Sequence, residues 1–340
     1  PRPLTEIEAD IAYCIYQRGQ VALLDNRDVA HKLFARAYAA YCELGDSFYR
    51  GLASSGLAVA LIYAGRAGQA EQISGQELAA VRQSGNQFTL AAMLYNHASS
   101  LATRGANAEA NRFHEEARAV MLAQGQRLMA ADIHAWGMGV TALREGNFDV
   151  AEARALKLLD VAREYHSVVS EARALCILSA VALISGDPRR SYALAQSATD
   201  LLGSHANAAY ADAFLAAGAA ALGEFELAAD ACLRWLPLAV RVGEHVLTAL
   251  LLTSAVGVLA GCGQADRAAA CAALALNCPA TMGHWARRVF TLYELEQDLS
   301  EARVDSSQPC ELADVIQWLE TANVQPRARV RHARLEKGAD

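Results

Sequence analysis

Residues Ala142–His166 read ALREGNFDVAEARALKLLDVAREYH. A helical pattern stops at Gly146, and the turn-forming Asn147 follows. A small side chain stands at Ala151, and an amphipathic run continues to a second break at Tyr165–His166. Nearly the same pattern returns about forty residues away in both directions. The glycines that end the first helix of each unit are Gly65, Gly105, Gly146, Gly186, Gly223 and Gly263, at spacings of 40, 41, 40, 37 and 40. A second series ends the following helix at Gly45, Gly85, Gly125, the Tyr165–His166 break, Ser204 and Gly243. Two interleaved series with one period describe a repeated helical hairpin.

Each position in the repeat has a physical reason. A glycine just past a helix end adopts the left-handed conformation that closes the helix, at little steric cost. Five residues later the side chain is small: Ala70, Ala110, Ala151, Ser191, Ala228 and Ala268. Seven residues before the glycine it is small again at Ala58, Ala98, Gly139, Ser179 and Ala216, with Val256 the exception. Small surfaces opposed across a hairpin let its two helices approach closely. The expected fold is an all-α, right-handed α-solenoid of about seven to eight hairpins with a period of about 40 residues.

Composition agrees. The chain has 340 residues, 54% hydrophobic and 20% charged, which suits a large core rather than disorder. Between Leu4 and Arg303 the only prolines are Pro188, Pro237 and Pro279, as a helical chain requires. A formal net charge of −7 gives no support for binding bulk nucleic acid. The eight cysteines lie in apolar runs without a CxxC pair, which reads as reduced thiols in a cytoplasmic protein. The uncharged stretch His245–Ala265 is long enough to cross a bilayer, but it keeps the repeat register and reads as a buried helix.

The ends depart from the period. Gly19 to Gly65 spans 46 residues, which places about six extra residues in the first turn, within VALLDNRDVAHKLF. The array is expected over residues 1–303 and a loop with a capping helix over 304–325, the loop at Asp305–Pro309 and the helix at Glu311–Ala322. Residues 326–340 form a basic segment that reads as a solvated tail or a linker.

These features resemble tetratricopeptide repeats. The family's helix-A small residue, turn glycine and helix-B alanine fall at Ala58, Gly65 and Ala70, and again at Gly139, Gly146 and Ala151. Its aromatic after the turn is matched by Phe148 and Phe225. The match departs from the standard pattern in its period, near 40 instead of 34, and in lacking the unit-ending proline; the long helix B followed by glycine, as in AYAAYCELGD, is more similar to the MalT-like variety. That resemblance covers roughly residues 5–300. It implies the sensor arm of a STAND-type signal-transduction ATPase, as in LuxR-type transcriptional regulators. The arm would bind a small-molecule inducer, or a protein or peptide partner, and carry no ATPase itself. A stand-alone scaffold for protein partners is the alternative.

Catalytic motifs do not emerge. GMGVTA at Gly137–Ala142 matches a dinucleotide fingerprint only in letters, because it lies within a helical pattern. GLASSG at Gly51–Gly56 lacks the lysine of a phosphate loop, and His114-Glu115 opens no HExxH because Arg118 stands in the last histidine's place. The expectation is therefore no enzyme, no cofactor, no metal, no membrane contact and no direct nucleic-acid binding. In the resemblance's register the first helix of each hairpin lines an inner wall. The middle units offer Tyr95, Trp136, Arg173 and Tyr210 there as a stripe of aromatic faces beside one cation. Such a stripe suits a peptide, an acidic small ligand or a partner helix, and the same aromatics would also fill space between hairpins. A chaperone-tail clamp is disfavoured, since Arg173 and Asn96 are nearly all the wall offers to a carboxylate. His97, His134, His166, His205 and His245 read as hydrogen-bonded structural histidines.

Overall fold

The computed structural model describes residues 3–205, 207–278, 283–293, 295 and 310–322. The described residues are all-α and contain no strand. In chain order the helices are α1 (Leu4–Asp25), α2 (Arg27–Leu44), α3 (Ser47–Tyr63), α4 (Ala67–Ser84), α5 (Gln87–Thr103) and α6 (Asn107–Ala123). Next come α7 (Arg127–Asp132), a π-helical turn (Ile133–Gly137), α8 (Met138–Glu145), α9 (Phe148–Glu164), α10 (Val168–Ile184) and α11 (Pro188–Leu202). The last are α12 (Ala208–Leu222), α13 (Phe225–Val242), α14 (His245–Gly261), α15 (Ala265–Asn277), α16 (His284–Thr291) and α17 (Leu312–Thr321). Successive helices pack in series, as α1 to α6 and α9 to α12 do, and alternate helices such as α3 and α5, or α10 and α12, also meet. This is an α-solenoid built of hairpins.

One turn recurs between the helices. At Gly65 the glycine N–H bonds to Ile62 O and the next N–H, of Arg66, reaches back to Leu61 O. The same pair of bonds forms at Gly45, Gly105, Gly125, Gly146, Gly186, Gly223 and Gly263. This closure satisfies helix-end carbonyls and requires a positive φ at the first residue. All of these glycines have it, from 68° to 85°. His166, at φ 52°, makes the same closure without a glycine. In the following turn the residue with positive φ is Gly203, not the expected Ser204. The shortened spacing of 37 therefore belongs to α11, which has 15 residues where α9 has 17. The next helix is then capped by side chains at Asp46, Asn86, Ser167 and Asp187, each accepting from the N–H three residues on. Such a cap stabilises by about 0.5–2 kcal/mol.

The small residues of both series are buried. Ala70, Ala110, Ala151, Ser191, Ala228 and Ala268 are all 0% exposed, as are Ala58, Ala98, Ser179 and Ala216. In the α10–α11 hairpin the contact is direct, Ser179 Oγ donating to Ser191 O at 2.9 Å. Any larger side chain here would separate the helices.

The first hairpin corrects the expected long turn. α1 runs 22 residues through Gly19, and the turn lies at Asn26, whose side chain caps α2. The extra residues lengthen the helix. Gly19 is not a turn residue; it faces the Phe34 ring, which a Cβ there would approach to 2.9 Å. Gly56 of α3 faces the same ring, so Phe34 fills a slot between two glycines. Pro237 does not end α13, which continues to Val242.

The chain forms two compact units, residues 1–141 with 240–245, and 142–239 with 246–340. In the first, Glu77 ties three helices together, accepting from Tyr38 Oη at 2.8 Å and Arg50 Nε at 2.9 Å. Arg27 of the same unit pairs with buried Glu244 at 3.1 Å and covers the Tyr63 ring. In the second, Asp212 of α12 accepts from Thr199 Oγ1 of α11 at 3.1 Å and Trp235 Nε1 of α13 at 2.7 Å. The apolar α14 is buried along Leu247–Leu259, and among the described residues no helix is long and apolar enough to cross a membrane. α17 opens with a capping box between Glu311 and Asp314 and packs on α15, where Arg267 lies over Trp318. The expected loop at 305–309 and the basic segment 326–340 lie outside the described residues.

Candidate functional site

In the expected register, the tenth and sixth residues before each turn glycine are the wall positions of a first helix. In the first unit these are Ser55 and Val59 on α3, Tyr95 and Ser99 on α5, and Val140 on α8; Trp136 has the same count but lies inside the π-turn, where the register shifts by one residue. All but Ser55 are half-buried, so this wall is partly open. Tyr95 lies 5.2 Å from the ring of buried His114 on α6, and its carbonyl accepts from Ser99 Oγ at 2.9 Å. Asn96 is unavailable to a ligand, because its amide donates to Ser55 O and Oγ at 3.2 and 2.8 Å and stitches α5 to α3.

Trp136 stands in the π-turn Ile133–Gly137. A π-turn is an α-helix with one extra residue, and such turns are frequent at functional sites. The extra residue is visible in the sequence: Gly45–Gly65, Gly85–Gly105 and Gly243–Gly263 each span 20 residues, whereas Gly125–Gly146 spans 21. Gly137 closes the π-turn onto His114, whose ring carbon a Cβ at 137 would approach to 2.7 Å. Buried His114 thus meets both the Tyr95 ring of α5 and Gly137 of the π-turn, and Trp136, next to Gly137, is half-buried.

Arg173 and Tyr210 belong to the second unit, thirteen residues before their turn glycines on α10 and α12, and both are half-buried. The wall of this unit is closed. Its residues are Cys176 and Ala180 on α10, Ala213 and Ala217 on α12, and Thr253 and Gly257 on α14, every one buried. The chain's own α16 and the residues just after it pack on part of this wall. Trp285, 1% exposed, donates Nε1–H to Ala180 O at 2.9 Å and meets Phe214 of α12 edge-on at 5.7 Å. Tyr293 lies against Gly257, where a Cβ would come to 2.5 Å from its hydroxyl. Burial raises the Tyr293 pKa above the usual phenol range, keeping it neutral.

The sequence reading missed this helix, although a signal existed. Gly283 follows Gly263 by 20 residues, continuing the series. Its conformation differs, φ 56° and ψ −120° against 85° and 9° at Gly223, and it abuts Arg144 O. The following Trp285, Ala286, Val289 and Phe290 are buried, whereas His284, Arg287 and Arg288 are exposed.

The histidines and thiols have structural surroundings. His97 shares a hydrogen bond with Ser74 Oγ at 2.9 Å and sits edge-on to Phe113, and burial lowers its pKa. His205 Nδ1 accepts from Asn207 N at 3.1 Å. Burial pushes the Cys176 and Cys232 thiols up to about 12 and Cys271 well above its usual value. They are neutral at physiological pH and poor nucleophiles. Among the described residues no group of three His, Cys, Asp or Glu is placed to hold a metal ion. No protein-family model matches the chain, and no curated protein matches it.

Proposed function

We propose that the chain is a tetratricopeptide-like sensor array of the MalT-like variety, which binds an effector on the wall of its first unit and regulates a STAND-type ATPase of transcription. What supports the reading is that Tyr95 and Trp136, on first helices of this unit, are half-buried and that Trp136 stands in a π-turn. Aromatic faces of this kind give large contact area at little entropic cost. The effector would act by binding one state of the whole regulator better than another. The ATPase and DNA-reading steps would belong to other domains, so the array itself is not an enzyme.

The test is a thermal-shift screen of small molecules and short peptides on wild type, Tyr95→Ala and Trp136→Ala. A ligand that raises the wild-type midpoint and loses its effect in both variants supports the site. A shift that survives both removes it. The size of the endogenous polypeptide, seen with an antibody to this segment, separates the two contexts. A band two to three times 36.3 kDa supports a regulator arm, and one near that mass leaves the stand-alone scaffold.

A further inference from the structure

α1 carries apolar residues on two faces. One face, with Ala12, Tyr16 and Gly19, is buried in the core that α1 shares with α2 and α3. The other holds Ile7, Ile11, Cys14, Arg18 and Val21, all exposed, with Ile7, Ile11 and Val21 at 42, 54 and 70%. A solenoid helix that no further repeat covers ordinarily turns a polar face to water. In the second unit α17 does so with Gln317 and Glu320. α1 does the opposite.

The spacing of this face is regular, its residues following at intervals of four, three, four and three. That is the 3.5-residue repeat of a seam between two paired helices, narrower than the stripe with which a helix faces a core. One seam position is Arg18, and a single charged residue in a seam specifies register at a cost in stability. The charges of α1 also select an orientation. Glu6, Glu8 and Asp10 crowd its N-terminal half, and Arg18 is its only basic residue. Two copies of α1 laid parallel would set acid beside acid. Laid antiparallel, each Arg18 meets the acidic half of the other copy, so the face is complementary to itself.

We propose that this face of α1 is a homodimer interface, covered by a second copy of the same chain with the two α1 helices antiparallel. Ile11 then opposes Cys14 of the second copy, and Ile7 opposes its Arg18, which lies beside Glu8. A helix of 22 residues is about 33 Å long. One helix pair of that length is a small interface, so the dimer forms weakly and depends on concentration. None of these residues belongs to α5 or the π-turn, and the inference does not rest on the effector wall.

Sedimentation equilibrium of the whole chain over about 1–200 μM tests it. The expected mass rises from 36.3 kDa toward twice that value. Ile11→Glu, at an exposed position, should keep the helical circular dichroism and stay monomeric. Arg18→Glu should weaken the dimer by roughly fivefold, the loss of two exposed ion pairs, and adding Glu8→Arg to it should restore the dimer. A wild type that stays monomeric throughout overturns the proposal and leaves α1 to an occupant of another kind. A dimer that survives Ile11→Glu is formed elsewhere and overturns it too. A dimer that Glu8→Arg alone strengthens is not antiparallel, and the charge argument falls. Should Ile11→Glu lose its helical signal, the charge exchange decides.

Discussion

Gly56→Ala should destabilise this protein although it places a better helix former inside α3, and the reason is a single ring. Mid-helix glycine costs about 1 kcal/mol relative to alanine. At position 56 the added carbon would lie 2.6 Å from Phe34 Cε1 and 2.8 Å from Cδ1 and Cζ, where about 3.5–4.0 Å is normal. The ring cannot simply retreat, because Gly19 bounds it on the other side and Phe34 is 0% exposed. Overpacking of this kind costs about 1–3 kcal/mol. The net effect is a loss of roughly 1 kcal/mol. In a Phe34→Leu background the obstacle is gone, and Gly56→Ala should instead stabilise by up to about 1 kcal/mol. Urea unfolding followed by circular dichroism on the four chains of this cycle gives the coupling. A coupling under about 0.5 kcal/mol would mean that the glycine is not there for the ring.

Two more outcomes follow from buried polar groups. His31, His97 and His245 all have lowered pKa values, mainly through burial, with the Arg66 guanidinium adding to the effect at His31 and Asp28 opposing it at His245. Below the unfolded value of about 6.5 the unfolded chain binds more protons, so stability falls as pH drops from about 7 through that range. Urea midpoints that stay flat between pH 7.5 and 5 would contradict this. At Asp212, 6% exposed, removing the carboxylate strands Thr199 and Trp235, and a Asp212→Ala, Trp235→Phe cycle should show coupling of about 1.5–3 kcal/mol. Arg234, whose side chain is 65% exposed at 3.7 Å from the same carboxylate, should contribute under about 1 kcal/mol. Additive effects at Asp212 and Trp235 would show that their hydrogen bond carries no net stability.

The hairpins were legible because each turn is a local chemical event. A glycine at the left-handed position and small residues at fixed distances are determined within one unit, and they can be read without knowing any neighbour. Asp46, Asn86 and Ser167 carry the same kind of local signal as caps and could have been used. α16 was not legible in this way. Gly283 marks where a helix begins, but its letter does not record a ψ of −120°. The partner of Trp285 lies 105 residues away, a distance over which a periodic pattern says nothing. Likewise, a wall residue is identified by its register, yet whether it is open depends on what else the chain lays over it.

Trp136 shows the same limit inside a single helix. The turn after α8 keeps the bonds of its counterparts, Gly146 N to Leu143 O and Asn147 N to Ala142 O. The turn before α7 keeps Gly125 N to Leu122 O and Gln126 N to Met121 O. With both ends held, the one extra residue must be absorbed between them, and it becomes the π-turn Ile133–Gly137. Residues after that turn retain the register counted back from Gly146, so Gly139 and Val140 stand where the repeat puts them. Residues before it follow the register counted forward from Gly125. Trp136 lies where the two counts disagree by one residue, about 100° of helix rotation. Its register position is therefore not the one that the repeat alone would give, and the next residue, Gly137, packs on His114. One extra residue, absorbed while the turns on either side stay regular, sets this helix apart from its neighbours at the position of its tryptophan.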